Sequence, residues 1–482
     1  MAAKSDAILG PMSGLDRYVR TVLHTCRTGL DKLRVFFGTP LARRLVLGLF
    51  ALQAIILVFA VGVGTPPDES THIKFIEYYA NHSWSPFLHH QTPTYNLGDK
   101  TREVDYLYHY TMSLFVRAMP FSQTVEVHVI RLCSVVVGLL TFVTLGRLLR
   151  RLGMSAAAIT TSFLVLTNLP MVLMMSSAVN NDAMVWLGSA LGLLLLVRLW
   201  ERPTAQDFGL LIALSLFGGL VKRTLLPLGL VFVLCAGVVL LRQWRTLFRD
   251  ARRHLGRTMC ILLLILVGLG LFAERVGGNI VRYGTITPTC AQVQGAAACS
   301  GFWANIRAET LAQWTPEKQV PLAVFVVKWL GSSFVNVVDI QTQLWLHKVM
   351  PARFLTPALV ILLAIGIGYG IRYEVRLFRT DRQARHRFYV MLILFYFLIV
   401  HMLVNYGDYR KIKFFGVALN GRYILPSLLP LVGFATYYWG QLLRRHPRVS
   451  TALAVVVVVS VIGWSGLEMM LRNTQIYSTV SK

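Results

Sequence analysis

The chain alternates long apolar segments with short polar ones, and most of the apolar segments have the length of a membrane span. They lie at 44 to 64, 125 to 146, 155 to 178, 182 to 199, 207 to 221, 224 to 241, 258 to 273, 353 to 371, 388 to 404, 424 to 441 and 450 to 470. A transmembrane helix needs about 20 consecutive apolar residues. The pattern therefore predicts an all-α polytopic membrane protein with about eleven transmembrane helices.

The orientation of these helices follows from the arginines between them. Arginine-rich connections fall on alternate sides, at 43 to 44, 147 to 151, 198 to 202, 242 to 257, 372 to 387 and 444 to 448. Because cytoplasmic loops carry an excess of Lys and Arg, we expect these connections and the N-terminus to be cytoplasmic. The apolar residues 321 to 338 are left out of the count, because one more span there would place the arginine-rich segment 372 to 387 on the outside of the membrane. We expect them to form a helix along the membrane surface.

Composition supports a membrane protein and argues against nucleic acid as a partner. Hydrophobic residues make up 55% of the 482 residues, and the mean hydropathy is +0.57, which leaves too little polar surface for a soluble globule. The net charge of +26 would indicate nucleic acid in a soluble protein. Here the arginines lie between apolar segments, so membrane lipids are the expected partners and nucleic acid is not.

Four regions follow from this topology. Residues 1–43 form a basic cytoplasmic N-terminus, and residues 44–273 form a transmembrane module that contains a long outer loop at 65–124. A second long outer loop, 274–352, carries interfacial helices and is followed by a C-terminal transmembrane module at 353–482. Long loops in compact proteins often carry function, so we expect the chemistry in the two outer loops.

Two adjacent carboxylates follow the first span. Asp68 and Glu69 come after Pro66 and Pro67, and helical spacing predicts a short amphipathic helix after them and a second helix at 104 to 119. An ionised carboxylate at a helix end can accept a hydroxyl proton, so Asp68, alone or with Glu69, is the candidate catalytic base. The alternative is a helix cap without chemistry. His72 follows at a spacing that leaves a divalent cation at Asp68, Glu69 and His72 open.

Cations lie at the outer ends of later spans, against the general distribution of charge. Lys222 and Arg223 close the fifth span, and Arg422, followed by Tyr423, opens the tenth. The planar guanidinium of Arg422 suits an anion with two oxygens, and the pair Lys222 and Arg223 suits the same kind of anion. The alternative for the pair is that both side chains extend to lipid headgroups.

Further polar and aromatic residues near these ends are candidates for binding substrate. The set comprises His72, Glu103, Asp105, Tyr108, Asn181, Asp182 and Tyr423. For Asn181 and Asp182, the alternative is an N-cap of the fourth span.

Cys290 and Cys299 share one outer loop, and in an oxidising compartment we expect them to form a disulfide.

The order of these motifs resembles the GT-C superfamily of integral-membrane glycosyltransferases. The resemblance rests on the motif 66 to 69 after the first span, 180 to 183 opening the fourth, 222 and 223 closing the fifth, and 421 to 426 opening the tenth. The sequence looks most like the bacterial branch with protein mannosyltransferases and lipid A aminoarabinose transferases.

The resemblance implies an inverting transfer of one sugar from a polyprenyl-phosphate donor to a glycan, lipid or protein acceptor. It also implies Asp68 as the base, no required cofactor, and a site on the periplasmic face of a bacterial inner membrane. The anion at Arg422, Lys222 and Arg223 would then be the donor phosphate, and the carboxylates and aromatic rings of the substrate-binding set would contact the sugar. Two alternatives remain from the sequence, a lipid-linked saccharide flippase or transporter and an O-antigen-ligase-like transferase. Transporters usually place ionisable residues near the bilayer midplane, which the pattern here does not favour.

Overall fold

The computed structural model describes residues 25, 28–64, 66, 68–82, 102, 104–118, 122–295, 320–338, 355–412 and 421–463. Its helices are α1 Pro40–Ala60, α2 Glu69–His82, α3 Leu107–Ala118, α4 Gln123–Arg151, α5 Ala156–Thr167, α6 Pro170–Ser176, α7 Asp182–Glu201, α8 Ala205–Val221 and α9 Leu226–Arg253. They continue with α10 Leu255–Phe272, α11 Gly278–Tyr283, α12 Cys290–Gln294, α13 Leu322–Val338, α14 Leu355–Leu377, α15 Arg382–Ile412, α16 Leu425–Leu442 and α17 Pro447–Gly463. The described part contains no β-strand, which confirms the all-α polytopic fold class.

Every apolar segment predicted to cross the membrane contains a helix. Seven helices of the described part are long and apolar enough to span, and the bent pair α5 and α6 would make eight. The helices α8, α13 and α17 are apolar but shorter, with 17 residues each. The count of eleven therefore stays a prediction.

Two segments differ from straight helices joined by loops. The segment 155 to 178 is not one straight helix, because α5 and α6 are bent by 76° at a break. Pro170 starts α6, and Leu169 before it is extended, as the ring of a following proline favours. The arginine-rich segment from 242 to 257 is also mostly helical rather than a loop, since α9 continues to Arg253 through an irregular turn at Gln243.

The predicted helices of the first outer loop are confirmed as α2 and α3, and the expected helix at 321 to 338 is confirmed as α13. Buried aromatic residues hold α13 to the rest of the protein, with Phe325 and Trp329 in the main apolar core. Its orientation relative to the membrane stays a prediction.

The arginine-rich helix ends meet on one face of the protein, called here the basic face. Arg151 forms an ion pair with Glu201, and the Nη2 atom of Arg198 lies 2.8 Å from Oδ1 of Asp207. Arg387 donates to the carbonyl oxygen of Leu152 over 2.9 Å. Arg382 donates to the carbonyl oxygen of Trp200 over 2.7 Å. These contacts join α4, α7, α8 and α15 at the same end, as the alternation of arginines predicts.

A buried ionic cluster joins three helices near the basic face. The Nε atom of Arg387 on α15 donates to Glu374 of α14 over 2.6 Å, and the hydroxyl of Tyr438 on α16 donates to the same carboxylate over 2.8 Å. Glu374 is fully buried. Such a pair is tolerated in an apolar interior only with good geometry and further hydrogen bonds, which Tyr438 supplies.

Candidate active site

Asp68 stands at the turn between α1 and α2 in an unusual backbone conformation. Its φ is 62°, a left-handed value that Asp and Asn tolerate better than most residues with a side chain. The carboxylate is 47% exposed and forms an ion pair with Arg422, which is 354 residues away in the chain. The turn therefore presents the Asp68 side chain outward, toward the start of α16.

Glu69, the next residue, has the opposite environment. Its carboxylate is fully buried and accepts hydrogen bonds from Arg131 Nε over 2.9 Å and Arg131 Nη2 over 2.6 Å. It also accepts from the backbone N–H of Gly64 and of Val179, each over 2.8 Å. Four donors thus occupy a group that the sequence offered as a second catalytic acid, and the structure favours a supporting role for it.

Arg131 joins this carboxylate to the end of α1. The guanidinium is fully buried and donates to the carbonyl oxygens of Val58, Val61 and Gly62 over 2.9, 2.7 and 2.9 Å. Carbonyls at a helix C-terminus have no partner within the helix, so a cation there is favourable. Arg131 therefore fixes the end of α1, the turn that holds Asp68 and the start of α2 relative to α4.

Asp68 belongs to a group of five residues from four separate regions, called here the site cluster: Asp68, Asp182, Lys222, Arg422 and Tyr423. Lys222 donates to Asp182 Oδ1, and Arg422 Nε lies 3.5 Å from Asp182 Oδ2. Arg422 Nη2 donates to the hydroxyl of Tyr423 over 3.3 Å. The cations of Lys222 and Arg422 lie 5.4 and 5.2 Å from the centre of the Tyr423 ring.

Helix ends bring these side chains together. Asp182 is the first residue of α7, Lys222 follows the last residue of α8, and Arg422 lies in a short 3-10 turn before α16. The side-chain amide of Asn181 donates to the carbonyl of Val221 over 3.2 Å, which links α7 directly to the end of α8. Asn181 thus has a structural part beside the cluster rather than the helix-capping hydrogen bond considered from the sequence.

The site cluster keeps Arg422 charged. Burial alone would lower the pKa of Arg422, but the nearby Tyr423, Asp182 and Asp68 outweigh that effect and raise it. Arg422 is only 6% exposed, whereas Asp68 is half exposed. The cluster thus combines a fixed, deep pair of cations with one carboxylate that a substrate can reach.

Of the other predicted substrate-binding residues, His72, Asp105 and Tyr108 belong to the described part and contact elements in or beside the first outer loop. His72 Nδ1 and His109 Nε2 are 2.8 Å apart, and the backbone N–H of Arg223 donates to Asp105 Oδ1 over 2.7 Å. The side chain of Arg223 is exposed. Tyr108 is buried in an apolar cluster, where burial raises the pKa of its phenol. Glu103 lies outside the described residues.

A second polar cluster fixes the segment before α3. Arg102 donates to Glu274 over 2.7 Å and to Asn279 over 2.9 Å, and Asn279 donates back to the carbonyl of Arg102 over 2.9 Å. Glu274 lies in a π-helical turn at Ala273–Gly277. Nearby, burial raises the pKa of Tyr106 to about 12, so this phenol stays neutral. The outer loop is therefore tied to the end of α10.

The three residues suggested as metal ligands do not converge. Glu69 is bonded to Arg131, Asp68 to Arg422, and His72 to His109. Within the described ranges, no group of three or more His, Cys, Asp or Glu side chains is placed to hold a metal ion. Cys290 is disulfide-bonded, and its predicted partner, Cys299, lies outside the described residues.

The sequence pattern did not identify Arg131 or His401, which both lie near the site cluster. Arg131 lies inside a segment predicted to span the membrane, and an arginine there is costly enough to indicate a role. That signal was present in the sequence. His401 is buried in α15 with its ring centre 5.4 Å from that of Tyr423. Its position gave no such signal, because it depends on how α15 packs against α16.

Comparison with known families agrees with the membrane class. Residues 106–269 match the dolichyl-phosphate-mannose-protein mannosyltransferase family. No curated protein matches the chain. The matched segment contains Arg131, Asp182 and Lys222, whereas Asp68 and Arg422 lie on either side of it. The match confirms the resemblance to the GT-C superfamily and supports a membrane glycosyltransferase of this type.

Proposed function

We propose that the protein transfers a single sugar from a polyprenyl-phosphate donor to an acceptor, with inversion, at the face that carries the site cluster. The observation that carries the proposal is the meeting of Asp68 and Arg422 from opposite ends of the chain. A half-exposed carboxylate beside a buried guanidinium provides the two functions that such a transfer requires, a proton acceptor and a binding group for the phosphate.

In this proposal Arg422 and Lys222 bind the donor phosphate. The fork of Arg422 can hold two phosphate oxygens, and Lys222 adds a second charge near the same Tyr423 ring. A phosphate at Arg422 competes with Asp68 for the same guanidinium. Donor binding would therefore release the carboxylate from its ion pair and leave it available to the acceptor.

Asp68 then acts as general base. The acceptor hydroxyl oxygen forms a bond to the anomeric carbon, while its proton passes to the Asp68 carboxylate. The bond from that carbon to the phosphate oxygen breaks, and the electron pair stays on the phosphate, where Arg422 and Lys222 stabilise the added charge. Attack from the face opposite the leaving phosphate inverts the configuration.

The name of the matching family favours a mannosyl phosphate lipid as the donor. The distribution of arginines favours a cytoplasmic basic face and a site that opens to the periplasm. Mass spectrometry of the lipid that co-purifies with the protein would identify the donor. A polyprenyl-phosphate sugar is the expected result, and a nucleotide sugar in its place would contradict the proposal.

The test of the base is the variant Asp68→Asn in proteoliposomes supplied with polyprenyl-phosphate mannose and acceptor membranes. Asn tolerates the left-handed backbone as Asp does, so the turn should remain intact. Transfer should fall by about 100-fold or more, as expected when a general base is lost. Thermal melting in detergent should change little, because the Asn side chain can still accept a hydrogen bond from Arg422 and Asp182 remains beside that cation.

The matched control is Glu77→Gln on the same helix, α2, where the carboxylate accepts a hydrogen bond from Gln123 away from the site cluster. This variant should retain transfer. If Asp68→Asn also retains it, Asp68 is not the base.

A further inference from the structure

A cavity of about 620 Å³ lies among α5, α14, α16 and α17, away from the site cluster. One apolar side chain from each helix illustrates its walls: Val165, Leu363, Val432 and Val457. No step of the proposed transfer uses this space. Its shape and the chemistry of its two ends indicate what it can hold.

The cavity is elongated. On α16 its lining extends from Leu428 to Gln441. At 1.5 Å per residue this is about 20 Å, roughly two thirds of the ~30 Å of a bilayer's hydrocarbon core. A mostly apolar channel of this length suits an extended hydrocarbon chain better than a compact polar molecule.

The two ends of the cavity differ in charge. At the basic face it is lined by Arg34, Ser155, Gln441 and Arg444, whereas the other end is lined by Leu169, Phe334, Val338 and Leu428. Arg34 and Arg444 are exposed, and neither forms an ion pair within the part of the chain that the structure describes. Among the described residues, the cationic lining of this cavity therefore lies at the basic face.

We propose that this cavity binds an acyl chain of an anionic phospholipid from the leaflet at the basic face, with the lipid phosphate at Arg34 and Arg444. Charge complementarity selects the headgroup, since each arginine near a membrane surface attracts an anionic lipid by about 1 kcal/mol. The apolar walls select the chain. The site goes beyond the transfer reaction, because the lipid headgroup binds at the basic face and no residue of the site cluster lines the cavity.

The end of the cavity away from the basic face is lined by α13, which in turn contacts the turn before α16. Val337 lines that end, and its backbone nitrogen would lie 2.8 Å from a Cβ atom added at Gly421, the residue before Arg422. The turn that carries Arg422 therefore packs directly on α13. A lipid chain in the cavity supports this packing from the other side, so lipid occupancy stabilises the position of Arg422.

The experiment is native mass spectrometry of the full chain, purified in mild detergent and titrated with phosphatidylglycerol or with phosphatidylcholine of the same acyl chains. Phosphatidylglycerol should bind about 30-fold more tightly, given two arginines at the entrance. In the double variant Arg34→Gln with Arg444→Gln this preference should disappear. The control Arg445→Gln, an exposed arginine that does not line the cavity, should keep it.

A second variant tests the chain pocket without changing charge. Ala454→Phe places a ring in the cavity and should reduce binding of both lipids, whereas Ala452→Phe on the same helix, outside the lining, should not. Equal affinity for both lipids in the unmodified protein, or no effect of Ala454→Phe, would overturn the proposal. So would displacement of phosphatidylglycerol by polyprenyl phosphate at equal concentration, because the cavity would then belong to the donor.

Discussion

At the scale of single residues, the neighbouring carboxylates Asp68 and Glu69 lie in different environments. Asp68 is half exposed and reaches Arg422, while Glu69 is fully buried with four hydrogen bonds. A buried ion pair contributes little compared with an apolar pair, but removal of one partner leaves a charge without compensation. The Glu69–Arg131 pair is therefore needed to hold the turn from which Asp68 extends.

The first prediction concerns this pair. Arg131→Met should destabilise the protein by about 3–5 kcal/mol, because Glu69 would remain buried without its cation. Thermal melting in detergent measures the loss. The control is Arg147→Met on the same helix, where the arginine is exposed and stability should stay within about 0.5 kcal/mol. Equal melting of Arg131→Met and the unmodified protein would exclude this supporting role.

The second prediction concerns the phosphate group. Arg422→Lys keeps the positive charge but removes the planar fork, so the KM for the polyprenyl-phosphate donor should rise about tenfold or more while the KM for acceptor changes little. Steady-state kinetics in proteoliposomes measure both constants. Arg410→Lys, an exposed arginine at the end of α15, is the control and should leave both unchanged. An equal rise in both KM values would contradict a phosphate role.

Ionisable residues beside span ends could be identified from sequence, but their partners could not. Asp68, Asp182, Lys222 and Arg422 were selected because charge at these positions needs a reason. That Asp68 pairs with Arg422 and Glu69 with Arg131 depends on the rotation of α4 and α16, which no local pattern encodes. The preference for Asp68 over Glu69 therefore came from the family resemblance alone, and the different surroundings of the two carboxylates became visible only in the fold.

At the scale of elements, close helix packing depends on small residues. Gly370 of α14 lies against α16, where an added Cβ atom would approach the Tyr438 ring to 2.2 Å. Tyr438 is fully buried and donates to Glu374. In membranes, helices associate through such close contacts rather than through a hydrophobic force between them. The apolar periodicity predicted α14 and α16, but not which glycine faces the partner helix.

The third prediction follows from that contact. Gly370→Ala should displace the Tyr438 ring, weaken its hydrogen bond to Glu374 and destabilise the protein by about 1–3 kcal/mol, as overpacking usually does. Gly368→Ala on the same helix is the control, because no heavy atom lies within 4 Å of its added Cβ. Melting curves of the two variants provide the comparison. A larger loss for Gly368→Ala would contradict the packing described here.

The bend between α5 and α6 shows where the apolar pattern was insufficient. The segment is apolar throughout, so hydrophobicity alone predicted one span from 155 to 178. Pro170 and the extended Leu169 before it end the first helix at Thr167. Pro170 indicates a helix boundary in the sequence. The apolar residues on both sides of it nevertheless favour one continuous span when only hydropathy is considered.

At the scale of the whole molecule, the protein has two chemically different faces. Arginines and their acidic partners gather on the basic face, and the site cluster lies at the opposite helix ends. The alternation of arginines along the sequence predicted this division, because each crossing of the membrane reverses the chain. The direction in which the chain inserts into the membrane determines which of these two faces lies in the cytoplasm.

The fourth prediction tests that orientation. In a variant without reactive cysteines, Ser70→Cys near the site cluster should react with a membrane-impermeant maleimide in intact cells. Arg445→Cys on the basic face should react only after permeabilisation, because positive segments stay in the cytoplasm. Both parent residues are exposed, so accessibility of the side chain does not limit either reaction. The reverse pattern would invert the proposed topology.

The ion pair between Asp68 and Arg422 also sets an order during biosynthesis. The two residues are 354 positions apart, so at about 5–20 residues per second Asp68 leaves the ribosome roughly 20–70 s before its partner. During that interval the nascent chain inserts its early helices with an unfinished centre. A polypeptide that stops before Arg422 can therefore reach the bilayer without the guanidinium that pairs with Asp68, so the site cluster is complete only after nearly the whole chain has been made.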